Sequence, residues 1–402
     1  MTYNHILISR TDSIGDVILT LPLAGLLRMR FPEAKISFLG MPYTRSIIES
    51  CTNIDLFIDW QQIKEQTEED SIKQIRTLGF DIILHVFPRK EIARLAYKAG
   101  IPKRLGTTGR IYNWLYCNNL VPISRRNSNL HESILNLKLT RRVHGFIIDE
   151  KPVPLNEILI DYKTVDTDKS GGSIKIGIAP ELFINTSNNN SISISIDNIP
   201  ALYGFVTKPI KDITFGGLLN PDELNIIIHP RSKGSAREWG LNNYANLSRQ
   251  LMSKIMLSTS HKVRVFITGT SEEGKMLHNE GFFEIAGNVT DVTGKFSLNQ
   301  FNQFIQCSDV LIAGSTGPLH IASALGKIAI GLFPPIRPMH PGRWAPIGIR
   351  AGYLVAEKEC SKCRKSGPCE CMQLITVEQV QQYLESMVLK YTFKTKWNEV
   401  NR

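Results

Sequence analysis

Short apolar runs bounded by polar turns recur along the chain, and amphipathic stretches separate them. His5–Ser9 (HILIS) is a run of strand length that predicts a buried first strand, and Arg10–Asp16 (RTDSIGD) its following loop. From Val17 to Phe31 the apolar residues fall at helical spacing. Lys35–Leu39, Asp55–Trp60 and Asp81–Val86 repeat the pattern, each separated by room for a helix. A second series begins at Leu224–His229 (LNIIIH) and continues with Val263–Ile267 and Asp309–Ile312. Helical patterns at Asn243–Ile255 and Ser297–Cys307 lie between these runs. The expected class is α/β, with two doubly wound, Rossmann-like domains facing a central cleft.

The boundaries expected from composition are 1–163 for the first domain, 164–222 for a polar linker or insertion, 223–376 for the second domain and 377–402 for a helical tail. The 164–222 segment contains DTDKSGG and NTSNNNSISISI, rich in Ser, Asn and Gly. Asp166 and Asp168 within it have the acid-x-acid spacing of a metal site, but they follow no buried strand.

The chemistry of the second domain centres on Ala313–Gly326 (AGSTGPLHIASALG). A strand that empties into glycine, serine and threonine and then starts a helix aims several backbone N–H groups at one spot, which suits phosphate. Gly314 and Gly317 admit close approach, Ser315 and Thr316 offer hydroxyls, and Pro318 suits the first turn. His320, one turn in, either touches the ligand or is satisfied by packing. Many strand-to-helix turns in α/β proteins share this composition. After Leu224–His229, the stretch PRSKGSAREWG supplies a second anion-binding arrangement, with Ser232, Lys233, Gly234, Ser235 and Arg237 at a strand's carboxyl end. In the first domain, Gly15 alone does not make a dinucleotide fingerprint. Asp16 at the helix start is either a cap or a catalytic carboxylate, and spacing alone favours the cap.

The chain has 402 residues, 42% apolar and 21% charged, the mix of a globular protein. No apolar run of about eighteen residues occurs and the N-terminus lacks the apolar core of a signal peptide, so a cytoplasmic protein is expected. The net charge of +10 is concentrated: Arg89–Arg126 holds nine basic residues and one acid, Glu91. Nucleic acid, an anionic membrane surface, a phosphorylated glycolipid or solvent alone would each suit that segment. Its few aromatics, chiefly Tyr97, Tyr112 and Trp114, argue against stacked bases. Cys360, Cys363, Cys369 and Cys371 put four thiols within twelve residues, room for zinc, although the one-residue gap of the second pair is unlike a zinc knuckle.

Three stretches in order, ILISRTDSIGDVILTLP, IIIHPRSKGSAREWG and GSTGPLHIASALG, resemble glycosyltransferase family 9, the heptosyltransferases of lipopolysaccharide core synthesis. The resemblance spans residues 5 to about 385. It implies a GT-B fold with an acceptor-binding first domain, a second domain that binds ADP-heptose, and transfer with inversion and without a metal or other cofactor. By that resemblance Asp16 is the general base and Arg237 contacts the donor phosphates. Glu273 is near the ribose-binding acid, with Glu272 equal by spacing, and the tail from Val377 crosses back to the first domain. Ser232, Lys233, Ser315, Thr316, Gly317 and His320 complete the expected donor set, and Arg10, Arg89, Lys90 and Arg94 the acceptor set. Many members carry an acid where this chain has Ser315, which leaves the donor sugar open.

The chemistry agrees with this assignment: one base serves the attacking hydroxyl, and cations and N–H groups neutralise a departing diphosphate. The expected protein is a heptosyltransferase acting on a lipopolysaccharide core or related glycolipid at the inner face of the cytoplasmic membrane. The alternatives are transfer of another nucleotide-linked sugar, or a non-catalytic module that binds anionic surfaces or nucleic acid.

Overall fold

The computed structural model describes residues 2–125, 129–143, 146–148, 174–178, 192–194, 199–259, 262–337, 339–357 and 369–400. The chain divides into two compact units, Met1–Val153 with Pro180–Val206, and Pro154–Ala179 with Thr207–Arg402.

The first unit is built on a six-stranded parallel sheet. Its strands are β1 (His5–Ser9), β2 (Lys35–Gly40), β3 (Leu56–Asp59), β4 (Ile82–His85), β5 (Lys103–Thr107) and β6 (Asn119–Val121), in the order β3-β2-β1-β4-β5-β6. β1 is central and buried along its whole length, which is why it reads as an unbroken apolar run. Leu7, Leu39 and Ile83 pack one face of the sheet against Ile75, Ile92 and Leu95 of the helices Glu68–Leu78 and Lys90–Lys98. The helix expected from Val17 is two helices, Ile14–Ile18 and Leu21–Arg30, with Pro22 in the first turn of the second. β7 (Phe146–Ile148) pairs with β9 (Ile192–Ile194) in a small parallel pair.

The second unit has a seven-stranded sheet. Its strands are β8 (Ile174–Ile178), β10 (Leu224–His229), β11 (Val263–Ile267), β12 (Thr290–Asp291), β13 (Val310–Gly314), β14 (Ile328–Phe333) and β15 (Ala351–Ala356), ordered β12-β11-β10-β13-β14-β15-β8. All pairings are parallel except that of β8 with β15. The chain therefore carries the two-unit, GT-B architecture.

The polar stretch 164–222 does not behave as one linker. IKIGI within it is β8, which completes the second sheet. Its later part returns to the first unit: Thr52 N donates to Gly204 O at 2.7 Å and Val206 N to Ser50 O at 2.8 Å. Gly25 lets the helix Ile199–Leu202 lie directly on the helix Leu21–Arg30, because a Cβ there would stand 2.1 Å from Leu202 O. Asp166 and Asp168 lie outside the described residues.

The C-terminal helix Val377–Val400 packs within the second unit. Val380, Tyr383, Leu384, Met387 and Val388 join Trp239, Tyr244 and Leu251 in that unit's core. Among the described residues no helix is long and apolar enough to cross a membrane.

Candidate active site

β1 ends by delivering Arg10 into the interior, where its side chain is 2% exposed. A guanidinium buried to that depth must be paired, since an uncompensated charge costs several kcal/mol. Arg10 Nε donates to Asp12 at 2.8 Å, and Nη1 donates to Glu132 at 3.1 Å and to Asn136 Oδ1 at 3.0 Å; Nη2 donates to Asp16. Burial alone would lower the pKa of Arg10, but Asp16, Asp12 and Glu132 outweigh it and raise the value. Burial raises the pKa of Asp12 and Asp16 adds to that, while Arg10 opposes the shift. Arg125 donates to the same Glu132 and Asn136 oxygens, each at 2.9 Å, so two guanidiniums share two acceptors.

Asp16 differs from Glu132 in access. Its side chain is 18% exposed, whereas that of Glu132 is fully buried. The helix that carries Asp16 begins at Ile14 after Ser13, and Asp16 does not cap it; its carboxylate receives Arg10 and the Ser13 hydroxyl instead. The capping alternative for Asp16 is thus not the geometry found. Arg89, in the loop after β4 and directly before the helix Lys90–Lys98, donates to Thr11 Oγ1 at 2.5 Å and to Thr11 O at 3.0 Å. The carboxyl ends of β1 and β4 therefore bring Arg10, Asp16 and Arg89 to one edge of the first sheet. Lys90 and Arg94 are on the exposed side of the next helix, where Arg94 and Lys98 both pair with Glu68. Of the expected acceptor set, Arg10 and Arg89 belong to the Asp16 cluster, and Lys90 and Arg94 project from that exposed helix face.

In the second unit the two expected anion-binding stretches meet. A Cβ on Gly314, the last residue of β13, would lie 3.6 Å from Arg237 O and 3.7 Å from the Ala236 Cβ. The loop after β10 therefore lies against the turn after β13. Thr316 N–H donates to Gly314 O at 2.7 Å, and the helix Gly317–Ala324 starts with Pro318 in its first turn. Thr316 does not cap that helix with its side chain, in contrast to Thr270 and Ser297, which form complete capping boxes in the same unit. The turn thus presents helix N–H groups and their partial positive charge at the carboxyl end of a central strand. Ser315 is partly exposed beside it, and His320 is buried one turn further on.

The loop that carries Lys233 and Arg237 is braced from within. Glu238 accepts from Ser232 N at 2.9 Å, from Ser232 Oγ at 3.1 Å and from Arg231 at 3.3 Å. Ser232 Oγ also reaches Ala236 O, so its hydroxyl holds the loop's shape. Lys233 adopts a left-handed backbone, φ +49°, which costs a non-glycine residue about 1 kcal/mol. Gly234 beside it, at φ +77°, meets no steric limit. Glu273 is 6% exposed, accepts from Thr270 N at 2.7 Å and closes a capping box. That carboxylate is engaged in its own helix start, whereas Glu272 is exposed.

Several residues of these clusters were not singled out from the sequence. Glu132 and Asn136 stand four apart on the helix Glu132–Leu137, a spacing that puts both on one face, but only the fold shows that this face meets Arg10. His229 closes β10, and its Nδ1 lies 3.0 Å from Thr268 Oγ1. Burial lowers its pKa to about 4, against a smaller opposing effect of Glu273, so it is a neutral imidazole at pH 7.

Cys369 and Cys371 are buried in the second unit's core with Met372 and Ile375. Cys360 and Cys363 lie outside the described residues. Among the described residues no three His, Cys, Asp or Glu side chains are grouped to hold a metal ion.

Two Rossmann-like units with these strand orders give the chain the GT-B architecture. Residues 213–372 match the sequence model of glycosyltransferase family 9 (heptosyltransferase). A provisionally named glycosyltransferase of Haemophilus influenzae is 26% identical over 351 residues, 85% of this chain and 86% of that protein. Among solved structures, a family 9 glycosyltransferase from Veillonella parvula aligns with a TM-score of 0.70 at 16% identity, covering 97% of this chain and 98% of the other. The ADP-heptose lipopolysaccharide heptosyltransferase II of Escherichia coli aligns with a TM-score of 0.64 at 18% identity, over 96% and 99%.

Proposed function

We propose that this glycosyltransferase moves a heptose from ADP-heptose to a lipopolysaccharide core or a related phosphorylated glycolipid, with inversion and without a metal ion. The observation that carries the reading is the uncapped helix start at Thr316–Gly317 lying against the Arg237 loop, in the part of the chain that matches the heptosyltransferase family. Solved E. coli heptosyltransferases of the same fold hold ADP or an ADP-fluoroheptose, which supports an adenosine diphosphate sugar as donor.

In the proposed reaction Asp16 takes the proton of the acceptor hydroxyl. The freed oxygen forms a bond to the anomeric carbon as that carbon's bond to the β-phosphate oxygen breaks, and ADP leaves with the electron pair. A single in-line displacement inverts the anomeric centre. Arg237, Lys233 and the Thr316–Gly317 N–H groups receive the charge that develops on the leaving diphosphate. On the acceptor side, Arg10 positions Asp16, and Arg89, Lys90 and Arg94 attract an anionic acceptor. Reaction on a lipid-borne acceptor places the protein at the inner face of the cytoplasmic membrane.

Ser315, where many members carry an acid, favours a second reading in which another nucleotide sugar is the donor. One experiment addresses both: purified protein is incubated with a panel of ADP-, GDP- and UDP-sugars, and thermal stabilisation and nucleotide release are measured. The proposal expects ADP-heptose to stabilise the protein most and to release ADP in the presence of acceptor. Stabilisation by a UDP- or GDP-sugar alone would overturn it.

A further inference from the structure

The short helix Ile111–Tyr116 in the first unit is turned inside out. Its polar residue Asn113 is fully buried, with Nδ2 donating to Thr107 O at 2.8 Å, while Ile111, Trp114 and Leu115 are 85%, 63% and 68% exposed. Positions i, i+3 and i+4 of a helix form one face, and in a water-soluble fold that face normally turns to the core. Here the reverse orientation is built in. Gly106 makes room beneath the helix, since a Cβ there would stand 3.0 Å from Asn113 Nδ2. Tyr112 OH donates to Pro88 O at 2.8 Å, and the Trp114 indole donates to Thr108 O at 3.1 Å. The outward face is thus held in place from below.

Cations surround it. Arg110 is exposed at the position before the helix, and the Arg104 guanidinium lies 5.3 Å from the Tyr97 ring centroid. Tyr97, itself 53% exposed, lies 5.9 Å from Tyr116 of the helix. This contact ties the patch to the neighbouring helix Lys90–Lys98, whose exposed side carries Lys90, Arg94 and Lys98. Against these, Glu68 and Glu91 are the nearby acids, so positive charge prevails.

We infer that Ile111, Trp114 and Leu115 form a wedge that enters the headgroup layer of an anionic bilayer, with the surrounding cations drawn to its phosphates. Tryptophan with aliphatic neighbours and a basic rim is the composition that favours an interface. A second copy of this chain suits the patch poorly, because a two-fold contact would set its cations against themselves. The inference rests on the proposed lipid-borne acceptor for its purpose, but vesicle binding is measured without donor or acceptor, so the two fail separately.

The test is sedimentation of the full chain with mixed phosphatidylcholine–phosphatidylglycerol vesicles and with pure phosphatidylcholine vesicles. The expected result is binding to the mixed vesicles that weakens with salt, with the fluorescence blue shift on binding abolished in Trp114→Phe. Changing Ile111, Trp114 and Leu115 together to serine should lower the vesicle partition coefficient at least about tenfold, since apolar area no longer leaves water. Because all three are exposed, the triple variant should melt with the parent. Arg110→Gln should cost roughly fivefold on mixed vesicles and little on pure phosphatidylcholine. Unaltered partitioning of the triple variant would overturn the inference, as would a dimer in the parent that the same substitutions dissociate.

Discussion

On the proposed mechanism, replacement of Asp16 by asparagine should separate chemistry from structure in the first unit. Asparagine keeps the size of the side chain and leaves an oxygen able to accept from Arg10, but it cannot take a proton. A positioned general base contributes about 10² to 10⁴ in rate, so turnover should fall by that range. The stability cost follows from what Arg10 retains. With Asp12, Glu132 and Asn136 still in place, the guanidinium is not left uncompensated, and the loss of about 3 to 5 kcal/mol expected for a broken buried pair does not apply. Weakening one charge-assisted bond of several should cost about 1 to 2 kcal/mol, a shift of about 2 to 8 °C for a domain of this size. Asp12→Asn is the matched control, because it removes a carboxylate from the same cation at a similar exposure of 21%. The assay is ADP release at saturating donor, with thermal melting and ADP calorimetry on the same preparations. Asp16→Asn should lose turnover and retain ADP affinity, whereas Asp12→Asn should lose comparable stability and far less rate. Equal loss of turnover in the two variants would refute the assignment of the base to Asp16, since the cluster would then act only through its charge balance.

Arg237→Ala should weaken ADP binding by about 1.5 to 3 kcal/mol, roughly tenfold to a hundredfold in Kd by calorimetry, through loss of a charge-assisted contact to the diphosphate. Glu273→Ala removes half of a capping box and should lower the melting temperature by the equivalent of about 1 kcal/mol; a loss of ADP affinity beyond that seen in Thr270→Ala would add a ribose contact to its role. His85 is fully buried and burial lowers its pKa to about 4, below the ordinary value of 6.5. The folded state binds this proton less readily than the unfolded state, so its stabilising contribution is present above pH 6.5 and is lost as pH falls from there towards 4. The loss is about 2 kcal/mol by pH 5, and His85→Gln should flatten the urea midpoint's pH dependence over that window.

The chain's own pattern carries the strands that are buried on both faces. Leu224–His229 and Val263–Ile267 emerge with the bounds the apolar runs suggest, because a parallel strand covered by helices tolerates little besides apolar residues. The phosphate-ready turn is equally local, since Gly314, Thr316 and Pro318 act within a few residues of one another. Strands towards the sheet edges are less legible. β5 (KRLGT), next to the edge, is partly polar, the edge strand β6 (NLV) is only three residues long, and the edge strand β8 lies within a stretch whose serine and asparagine content conceals the alternation of IKIGI. Four thiols within twelve residues leave room for a metal, yet whether those of Cys369 and Cys371 face a ligand or an apolar core depends on the packing of the C-terminal helix, which the spacing does not contain. Tertiary structure alone joins Arg10 to Glu132 and Asn136 across more than a hundred residues, sets Gly25 against Leu202, and lays the Arg237 loop on Gly314. It also turns Asn113 inward and Trp114 outward. Local sequence determines which residues can form a helix or a turn, because propensity and periodicity act over a few residues; which buried charge finds its partner, and which helix face meets solvent, is decided by the layers that the fold places against them.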